Sequence, residues 1–239
     1  MKRTRKRPKK YRVNVEKQAR NRSSILEKAT ELFAERGYST VTIDDICTAL
    51  NVTKPFVYYY FRSKAEIYDT VNRESVIVTL SALRAGAVGA TWPERLENGL
   101  RAFLETHLRL FKAGSLYYRE PQALSPSVRD EIHSLARQFH QDLTALLLEG
   151  VEGGFLPQQD VRLSALAIGG IANFMYTWYR PDGHFEPQQM IEKLLEVFKR
   201  TIGLEPVARP ATAKSAKPLP RLGGPALQIT DQPPSTTKI

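Results

Sequence analysis

Residues 41–64 read VTIDDICTALNVTKPFVYYYFRSK, and the fold of the surrounding region follows from this stretch. Thr42 is followed three residues later by Asp45, which is the spacing of an N-terminal capping box, so a short helix is predicted to begin directly after Thr42. Asn51 stands where the chain must turn sharply, because asparagine tolerates the left-handed backbone region. A second helix is predicted after this turn, and the two helices together form a helix–turn–helix.

The second helix is predicted to have two different faces. Thr53 is a favoured N-cap residue, and Pro55 fits the first helical turn. Val57 and Phe61 lie four residues apart, so they share one face and are predicted to pack in the core. The side chains left near the N-terminus and on the flanks of this helix are Lys54, Pro55, Phe56, Tyr58, Tyr59 and Tyr60.

These outward side chains have the chemistry of a DNA-reading surface. Lysine binds guanine acceptors or phosphates, tyrosine hydroxyls bond to phosphates, and apolar atoms contact the thymine methyl group. Ordinary packing is the competing explanation, but Tyr58 to Tyr60 cannot all face inward from one helix. The next helix begins at Ser63-Lys64, and its N-terminal amides also suit a phosphate. The sequence therefore predicts a helix that docks into the major groove.

Three segments carry a resemblance to a known family: residues 25–38 (ILEKATELFAERGY), 42–46 (TIDDI) and 57–64 (VYYYFRSK). In order and spacing they resemble the TetR family of bacterial transcriptional regulators, over about residues 20–70. The resemblance implies a homodimer that binds a palindromic double-stranded DNA operator and is released by a small-molecule inducer. By position, it implies phosphate contacts from Thr42, Thr53, Tyr59 and Lys64, and major-groove contacts from Lys54, Pro55, Phe56 and Tyr58.

The chain departs from the family pattern at two positions. Asn51 replaces the glycine that is usual in the turn, which the backbone tolerates. Phe56 is bulkier than the small residue common at its position, so no base preference is carried over there.

The rest of the body is predicted to be helical, because apolar residues recur at spacings of three and four and alternating strand patterns are missing. Helices are predicted at residues 92–114, 127–150, 160–179 and 187–202. The predicted fold class is all-α, with an N-terminal three-helix helix–turn–helix domain and a C-terminal helical ligand-binding and dimerisation domain. The predicted divisions are a disordered basic arm (1–15), the DNA-binding domain (16–66), the ligand-binding and dimerisation domain (67–204) and a proline-rich disordered tail (205–239).

The charge of the chain is concentrated at its N-terminus. The 239 residues carry a net charge of +10, and residues 1–22 hold eleven Lys or Arg and one acid, Glu16. This segment therefore accounts for the whole net charge, and the remaining chain is neutral. A cationic arm of this kind indicates a polyanionic partner, which is nucleic acid or, less often, an anionic membrane surface. The competing interpretation is a solvated tail that helps solubility.

The residue composition and the missing motifs exclude several classes of protein. Cys47 is the only cysteine, so no disulfide framework or multi-cysteine zinc site is expected, and a reducing cytoplasm is compatible. No metal site or cofactor is expected from the four histidines, because no carboxylate completes a ligand set near His133 and His140. No segment approaches the roughly 20 apolar residues of a membrane span. No nucleophile–base set or glycine-rich phosphate loop is present, so an enzyme is not expected.

The C-terminal half resembles the TetR branch of regulators of fatty-acid and steroid catabolism. The resemblance rests on residues 153–156 (GGFL), Asp160 and residues 173–183 (NFMYTWYRPDG). It implies an acyl-CoA thioester as inducer, in an elongated apolar pocket with a basic mouth. The predicted pocket residues are Phe103, Leu104, His107, Tyr117, Phe139 and Tyr176, with Arg84, Arg109, Arg119 or Arg137 near phosphates.

The dimer interface is predicted from two apolar helices. The small residues between Ala165 and Phe174 allow another helix to approach closely, and the last helix carries more apolar surface than one stripe needs. Two copies of these helices would form a four-helix interface. Two alternatives stay open: a multidrug or metabolite sensor with different pocket contents, and an architectural DNA binder that needs no ligand.

Overall fold

The computed structural model describes residues 9–181 and 183–204, with side chains from residue 16 onward, and all regular structure in these ranges is helical. This confirms the predicted all-α class. The helices are α1 (Lys9–Arg36), α2 (Ile43–Leu50), α3 (Lys54–Tyr60), α4 (Lys64–Gly86), α5 (Trp92–Arg109), α6 (Phe111–Arg119), α7 (Pro126–Glu152), α8 (Val161–Asn173), α9 (Met175–Trp178) and α10 (Pro187–Thr201), with a 3-10 turn at Pro121–Ala123.

The first helix starts earlier than the sequence predicts. It begins at Lys9, so residues 9–15, predicted as part of a disordered arm, have helical backbone. The buried Ile25 and Leu26 anchor this helix in the core. Its extension toward the N-terminus has a small free-energy cost, because each added residue gains a hydrogen bond without a new nucleation step. The disorder predicted for residues 1–8 and 205–239 lies outside the described residues.

Two helices predicted as continuous are each broken in two. The predicted helix at 92–114 is interrupted at Leu110, which separates α5 from α6. The predicted helix at 160–179 is interrupted at Phe174, between α8 and α9. At the second break Met175 is fully buried, while the adjacent Phe174 is exposed. Apolar spacing alone did not reveal these breaks, since the pattern continues through both of them.

The N-terminal helices pack around a core of their own, which we call the head core. It contains the buried apolar residues of α1 to α3 and the first half of α4, centred on Phe33 and Tyr68, whose rings lie 5.3 Å apart in an edge contact. Leu116, Leu124 and Ile132 complete it from much later in the chain. The head is therefore closed by residues of α6 and α7 and of the turn between them.

A second apolar core, the body core, joins α5, α7, α8 and α10 around the end of α4. It runs from Leu83 to Ile202 and includes the fully buried Phe103 and Phe198. Helix α4 runs unbroken from Lys64 to Gly86 and contributes to both cores. None of the helices in the described ranges is long and apolar enough to cross a membrane.

Candidate DNA-reading surface and ligand cavity

The predicted capping box at the start of α2 is present. The Asp45 amide donates to Thr42 Oγ1 over 3.2 Å, and the Thr42 amide donates to Asp45 Oδ2 over 2.8 Å. Thr42 Oγ1 also donates to the same carboxylate, and these bonds hold the pKa of Asp45 below its ordinary value. The Thr42 hydroxyl is thus engaged within the box, although the residue is exposed where a phosphate contact is predicted.

The turn between α2 and α3 also has the predicted form. Asn51 adopts φ 54° and ψ 49°, the left-handed conformation, and closes the C-terminus of α2. Thr53 occupies the N-cap position of α3 in an extended conformation, but its side chain makes no capping hydrogen bond. The predicted N-cap position of Thr53 is therefore confirmed, while its exposed hydroxyl is not engaged by the helix.

Helix α3 has the two faces that its sequence predicts. Val57 and Phe61 are buried in the head core. Tyr58 and Tyr59 are 50% and 69% exposed, which is unusual for residues of this size. Phe56 is half-buried, and its ring packs 5.4 Å from that of Tyr60. Lys54, Pro55 and Thr53 are exposed at the N-terminal end.

Two residues of α1 that the sequence did not single out hold the tyrosines of α3. Gln18 Nε2 donates to the Tyr59 hydroxyl over 3.0 Å, and Asn21 Nδ2 donates to the Tyr60 hydroxyl over 2.9 Å. Arg22 lies 5.2 Å from the centre of the Phe61 ring. No local sequence signal marks these partners, because Gln18 lies 41 residues before Tyr59 and Asn21 lies 39 residues before Tyr60.

Lys54, at the start of α3, is paired with an acid from α2. Its ammonium lies 2.9 Å from Asp44 Oδ2, and the hydrogen bond raises the pKa of Lys54. Both side chains are more than half exposed. Exposed pairs contribute about 0–1 kcal/mol, so Lys54 can exchange this carboxylate for a base or phosphate at small cost.

Lys64, for which the family resemblance implies a phosphate contact, has partners within the chain. Its ammonium donates to the carbonyl oxygens of Tyr38 and Val41, both over 2.8 Å, and lies 4.2 Å from the centre of the Tyr38 ring. Two of its three donors are therefore used to hold the loop between α1 and α2. Gly37 in this loop has φ 80°, the left-handed conformation in which many helices end.

The described part of the body contains an internal cavity of about 190 Å³. Four of the six predicted pocket residues line it: His107, Tyr117, Phe139 and Tyr176. The prediction is wrong for Phe103 and Leu104, which are fully buried in the body core and do not reach the cavity. Sequence reasoning missed the wall supplied by α4 and several residues of α6 to α8, which include Ser75, Thr79, Tyr118, His140 and Asn173.

The two cavity histidines rest against α8. Burial lowers the pKa of His107 to about 4, although a hydrogen bond to the Ala172 backbone acts in the opposite direction. Burial likewise lowers the pKa of His140, opposed by a hydrogen bond to the Ala165 backbone. Gly169 makes room for this ring, because a Cβ there would lie 2.6 Å from His140 Cε1. Both rings are therefore neutral near pH 7.

The basic mouth predicted for the pocket does not line the cavity. Arg84 pairs with Asp142 at 2.6 Å, and Arg119 donates to the Ala34 carbonyl over 3.1 Å. Arg109 lines a separate cleft beside α1, and Arg137 lines neither that cleft nor the cavity. Within the described ranges no three His, Cys, Asp or Glu side chains come together as a metal site.

Helix α6 connects this cavity to the head. Gly114, Ser115, Tyr117 and Tyr118 line the cavity, while Leu116 of the same helix is buried in the head core. The Tyr68 hydroxyl donates to the Leu116 carbonyl over 3.0 Å. Just after α6, Glu120 Oε1 accepts from the Tyr38 amide over 2.7 Å. A shift of α6 would therefore act on the loop before α2 and on the start of α4.

Comparison with known proteins agrees with this arrangement. Residues 25–71 match the family described as "Bacterial regulatory proteins, tetR family", and residues 89–202 match "Tetracyclin repressor-like, C-terminal domain". The chain is 28% identical over 179 residues to the HTH-type transcriptional repressor KstR2 of Mycobacterium tuberculosis, covering 74% of this chain and 90% of KstR2. It is 31% identical over 158 residues to the repressor DhaR of Mycobacterium sp. (strain GP1), covering 64% of this chain and 78% of DhaR.

Solved structures are similar over the same extent. The TetR family regulator PfmR of Thermus thermophilus superposes with a TM-score of 0.68 at 27% identity, covering 74% of this chain and 97% of PfmR. The matched segments include both the reading head and the body with its cavity. The chain belongs to the TetR family of bacterial transcriptional regulators.

Proposed function

We propose that this chain is a cytoplasmic, ligand-responsive repressor that binds a palindromic operator as a homodimer and leaves it when a small molecule occupies the body cavity. The observation that carries the proposal is the connection of an exposed reading helix to an internal cavity through α6. No catalytic role is proposed.

The reading helix is α3, inserted into the major groove. Tyr58 and Lys54 face the bases, and Tyr59 with Thr42 and Thr53 lies against the phosphates. Lys17 and Arg20 are exposed on the turns of α1 that hold Tyr59 and Tyr60, so the cationic N-terminal segment approaches the same DNA. These cations add attraction to phosphate without sequence preference.

The homodimer is supported by apolar surface that one chain leaves in water. Leu163 is 65% and Phe174 is 60% exposed, and further exposed apolar residues on α8 to α10 are Leu166, Trp178 and Val197. Contiguous apolar surface on a soluble protein marks an interaction site. A second copy would cover this face and supply the two-fold symmetry that a palindrome requires.

Release of the operator is a shift between two arrangements of the dimer. The ligand stabilises the arrangement in which the two α3 helices no longer match the half-site spacing of about 34–36 Å. The ligand can weaken operator binding by no more free energy than the difference between its binding free energies for the two arrangements. Helix α6 carries the change, because it lines the cavity and is bonded to Tyr68, and Glu120 directly after it holds Tyr38.

An acyl-CoA thioester is the ligand class that we propose, because the mainly apolar cavity fits an acyl chain or a ring. The relative KstR2 is described as a ketosteroid transcriptional regulator, which also indicates a large apolar ligand. A neutral multidrug-type ligand is the alternative, favoured by the aromatic side chains of Phe111, Tyr118 and Phe139 in the wall.

Operator binding and release can be tested with the full chain. Operators are first selected from random double-stranded DNA, and their binding is then measured by fluorescence anisotropy. We expect a palindromic site that binds far more tightly than random sequence, and release by acyl-CoA thioesters. Equal affinity for selected and random DNA would indicate an architectural binder. Release by neutral drugs but not by thioesters would support the multidrug alternative.

The dimer is tested by sedimentation of Leu163→Glu, with Val88→Glu as the matched control. Val88 is as exposed as Leu163 but lies outside α8 to α10. We expect Leu163→Glu to yield monomers that bind half-sites weakly, while the control stays dimeric. A dimeric Leu163→Glu protein would place the interface elsewhere.

A further inference from the structure

Two tyrosine hydroxyls on α3 are held by amide side chains of α1. Gln18 and Asn21 lie three residues apart, so they share one face of α1. Gln18 Nε2 lies 3.0 Å from the Tyr59 hydroxyl oxygen, and Asn21 Nδ2 lies 2.9 Å from that of Tyr60. In both pairs the amide nitrogen is the donor and the tyrosine oxygen is the acceptor. The two helices are therefore joined by hydrogen bonds that all run from α1 to α3.

The direction of the bond from Gln18 decides what the Tyr59 hydroxyl can still do. A tyrosine hydroxyl has one hydrogen to donate and lone pairs that accept. Because the Gln18 amide uses a lone pair, the hydroxyl hydrogen remains available for another acceptor. Within the described part of the chain, the Tyr59 hydroxyl forms no further hydrogen bond. The bond that it accepts also makes it a stronger donor, because linked hydrogen bonds polarise one another.

A phosphate is the partner that such a hydroxyl fits. Phosphate oxygens only accept hydrogen bonds, and bonds to a charged acceptor are about twice as strong as neutral ones. A tyrosine hydroxyl without the amide donor could turn its hydrogen toward other acceptors and present only lone pairs to the DNA. With the amide nitrogen of Gln18 in place, the hydroxyl of Tyr59 is already a donor before DNA arrives.

The ring of Tyr59 is exposed but is held in place from its own helix. It is 69% exposed, and its centre lies 4.9 Å from that of the Tyr60 ring in an edge contact. The Tyr60 ring in turn packs 5.4 Å from the half-buried Phe56. The ring and the hydroxyl of Tyr59 are thus held by separate contacts, one from α3 and one from α1. A side chain ordered before binding loses less conformational entropy when it binds.

We propose that Gln18 is a positioning residue for DNA binding: its amide orients the Tyr59 hydroxyl so that this hydroxyl donates a hydrogen bond to a backbone phosphate. This inference rests on the proposed function, because it concerns how the same reading helix holds DNA. It gives α1 a role that depends on an uncharged side chain and is separate from the attraction by its cations. Since phosphate contacts carry no sequence information, the effect should be the same on operator and random DNA.

A double-mutant cycle tests the coupling between Gln18 and Tyr59. Affinities for operator and random DNA are measured by fluorescence anisotropy for the wild type, Gln18→Met, Tyr59→Phe and the double variant. Methionine keeps the approximate length of glutamine but has no donor. We expect Tyr59→Phe to weaken binding about ten-fold and Gln18→Met about three-fold, on both DNAs. In the Tyr59→Phe background, Gln18→Met should have no further effect, because the hydroxyl that it orients is gone.

Gln18→Glu reverses the direction of the bond. An ionised carboxylate only accepts, so it should take the Tyr59 hydrogen away from the phosphate. We expect binding to weaken about ten-fold in the wild-type background, and about three-fold in the Tyr59→Phe background, where only repulsion between the new charge and the phosphates remains.

Stability and a matched substitution supply the controls. The urea midpoint of Gln18→Met should equal that of the wild type, because an exposed hydrogen bond adds little to stability. Gln141→Met replaces an exposed glutamine on α7, and it should leave both DNA affinities unchanged.

The outcomes separate this inference from the proposed function. If Gln18→Met weakens binding equally with and without the Tyr59 hydroxyl, Gln18 acts independently of Tyr59 and the positioning role is wrong. The role is also wrong if no Gln18 variant changes DNA affinity, or if Gln18→Met weakens binding only together with a lower urea midpoint. None of these results contradicts a repressor whose wild type prefers operator to random DNA. A wild type that binds both DNAs equally would contradict the proposed function instead.

Discussion

The head and the body of this protein are both helical, yet their functional surfaces are built in opposite ways. The proposed reading surface of the head comes from residues 42–64, a single short stretch, and Tyr58 and Tyr59 on it are exposed. The cavity wall of the body comes from α4 to α9, over residues 75–176, and its residues are all buried or half-buried. An exposed site can thus be encoded locally, whereas an enclosed site exists only after distant helices have packed.

This difference predicts where mutations act. Changes at buried residues of the body should alter the free energy of unfolding, and changes on the proposed reading surface should alter DNA affinity with little effect on folding. A variant of a buried body residue that altered only DNA affinity, or a head-surface variant that unfolded the protein, would contradict this division.

Phe103→Ala should have the strongest effect, on stability. Phe103 is fully buried, and its ring lies 4.7 Å from that of Phe139. Truncation removes apolar contact and leaves a void, which costs about 3–5 kcal/mol of unfolding free energy. Urea denaturation followed by circular dichroism measures this. A loss below about 1 kcal/mol would mean that the body core is not packed as described.

Acid should destabilise the body through His107. Its folded-state pKa of about 4 lies below the ordinary value of 6.5, so between these pH values the unfolded chain binds a proton that the folded chain does not. Stability is therefore retained above pH 6.5 and falls as the pH drops toward 4, by at most about 3 kcal/mol. His140 acts in the same direction.

The measurement is urea denaturation at several pH values for the wild type and His107→Gln. The variant should show a flatter dependence in this window, even if it is less stable at pH 7. An identical pH dependence in the two proteins would contradict the assignment to His107.

Tyr58→Ala should act on DNA binding alone. Tyr58 is half exposed and forms no hydrogen bond to another described side chain, so unfolding free energy should change by no more than about 0.5 kcal/mol. Operator affinity should fall by about 1–3 kcal/mol, the usual cost of losing a base contact. Anisotropy titration checks this, with Val88→Ala as a control distant from the reading helix. If the operator affinity of Tyr58→Ala is unchanged, α3 is not the helix that contacts the bases.

Asp44→Asn should have the weakest effect, and it should raise operator affinity where Tyr58→Ala lowers it. It frees Lys54 from an exposed ion pair, so stability should fall by less than about 1 kcal/mol. Operator affinity, measured by the same anisotropy titration, should rise slightly, because an acid near the phosphates is removed. Weaker operator binding by this variant would show that the pair positions Lys54 for DNA.

The head was largely predictable because its signals are local. The capping box at Thr42, the left-handed Asn51 and the burial of Val57 and Phe61 depend on neighbours within a few residues. What the sequence did not reveal in the head depends on distant partners. Lys64 donates hydrogen bonds to two carbonyl oxygens that lie 26 and 23 residues earlier in the chain, and no local pattern encodes these contacts.

The body was less predictable for the same reason. Helical spacing marked its apolar residues, but it did not distinguish Phe103, which packs in the core, from His107, which lines the cavity. The breaks at Leu110 and Phe174 were also missed, because the apolar spacing continues through both of them.

Local sequence was sufficient for the helical class, the helix–turn–helix and the family, because caps, turns and apolar periodicity act over one or two helical turns. Tertiary packing was needed to show which side chains enclose the cavity, which residues hold Tyr59 and Tyr60, and how α6 joins the cavity to the head. These features depend on the relative placement of whole helices, which is settled by packing between residues far apart in the chain.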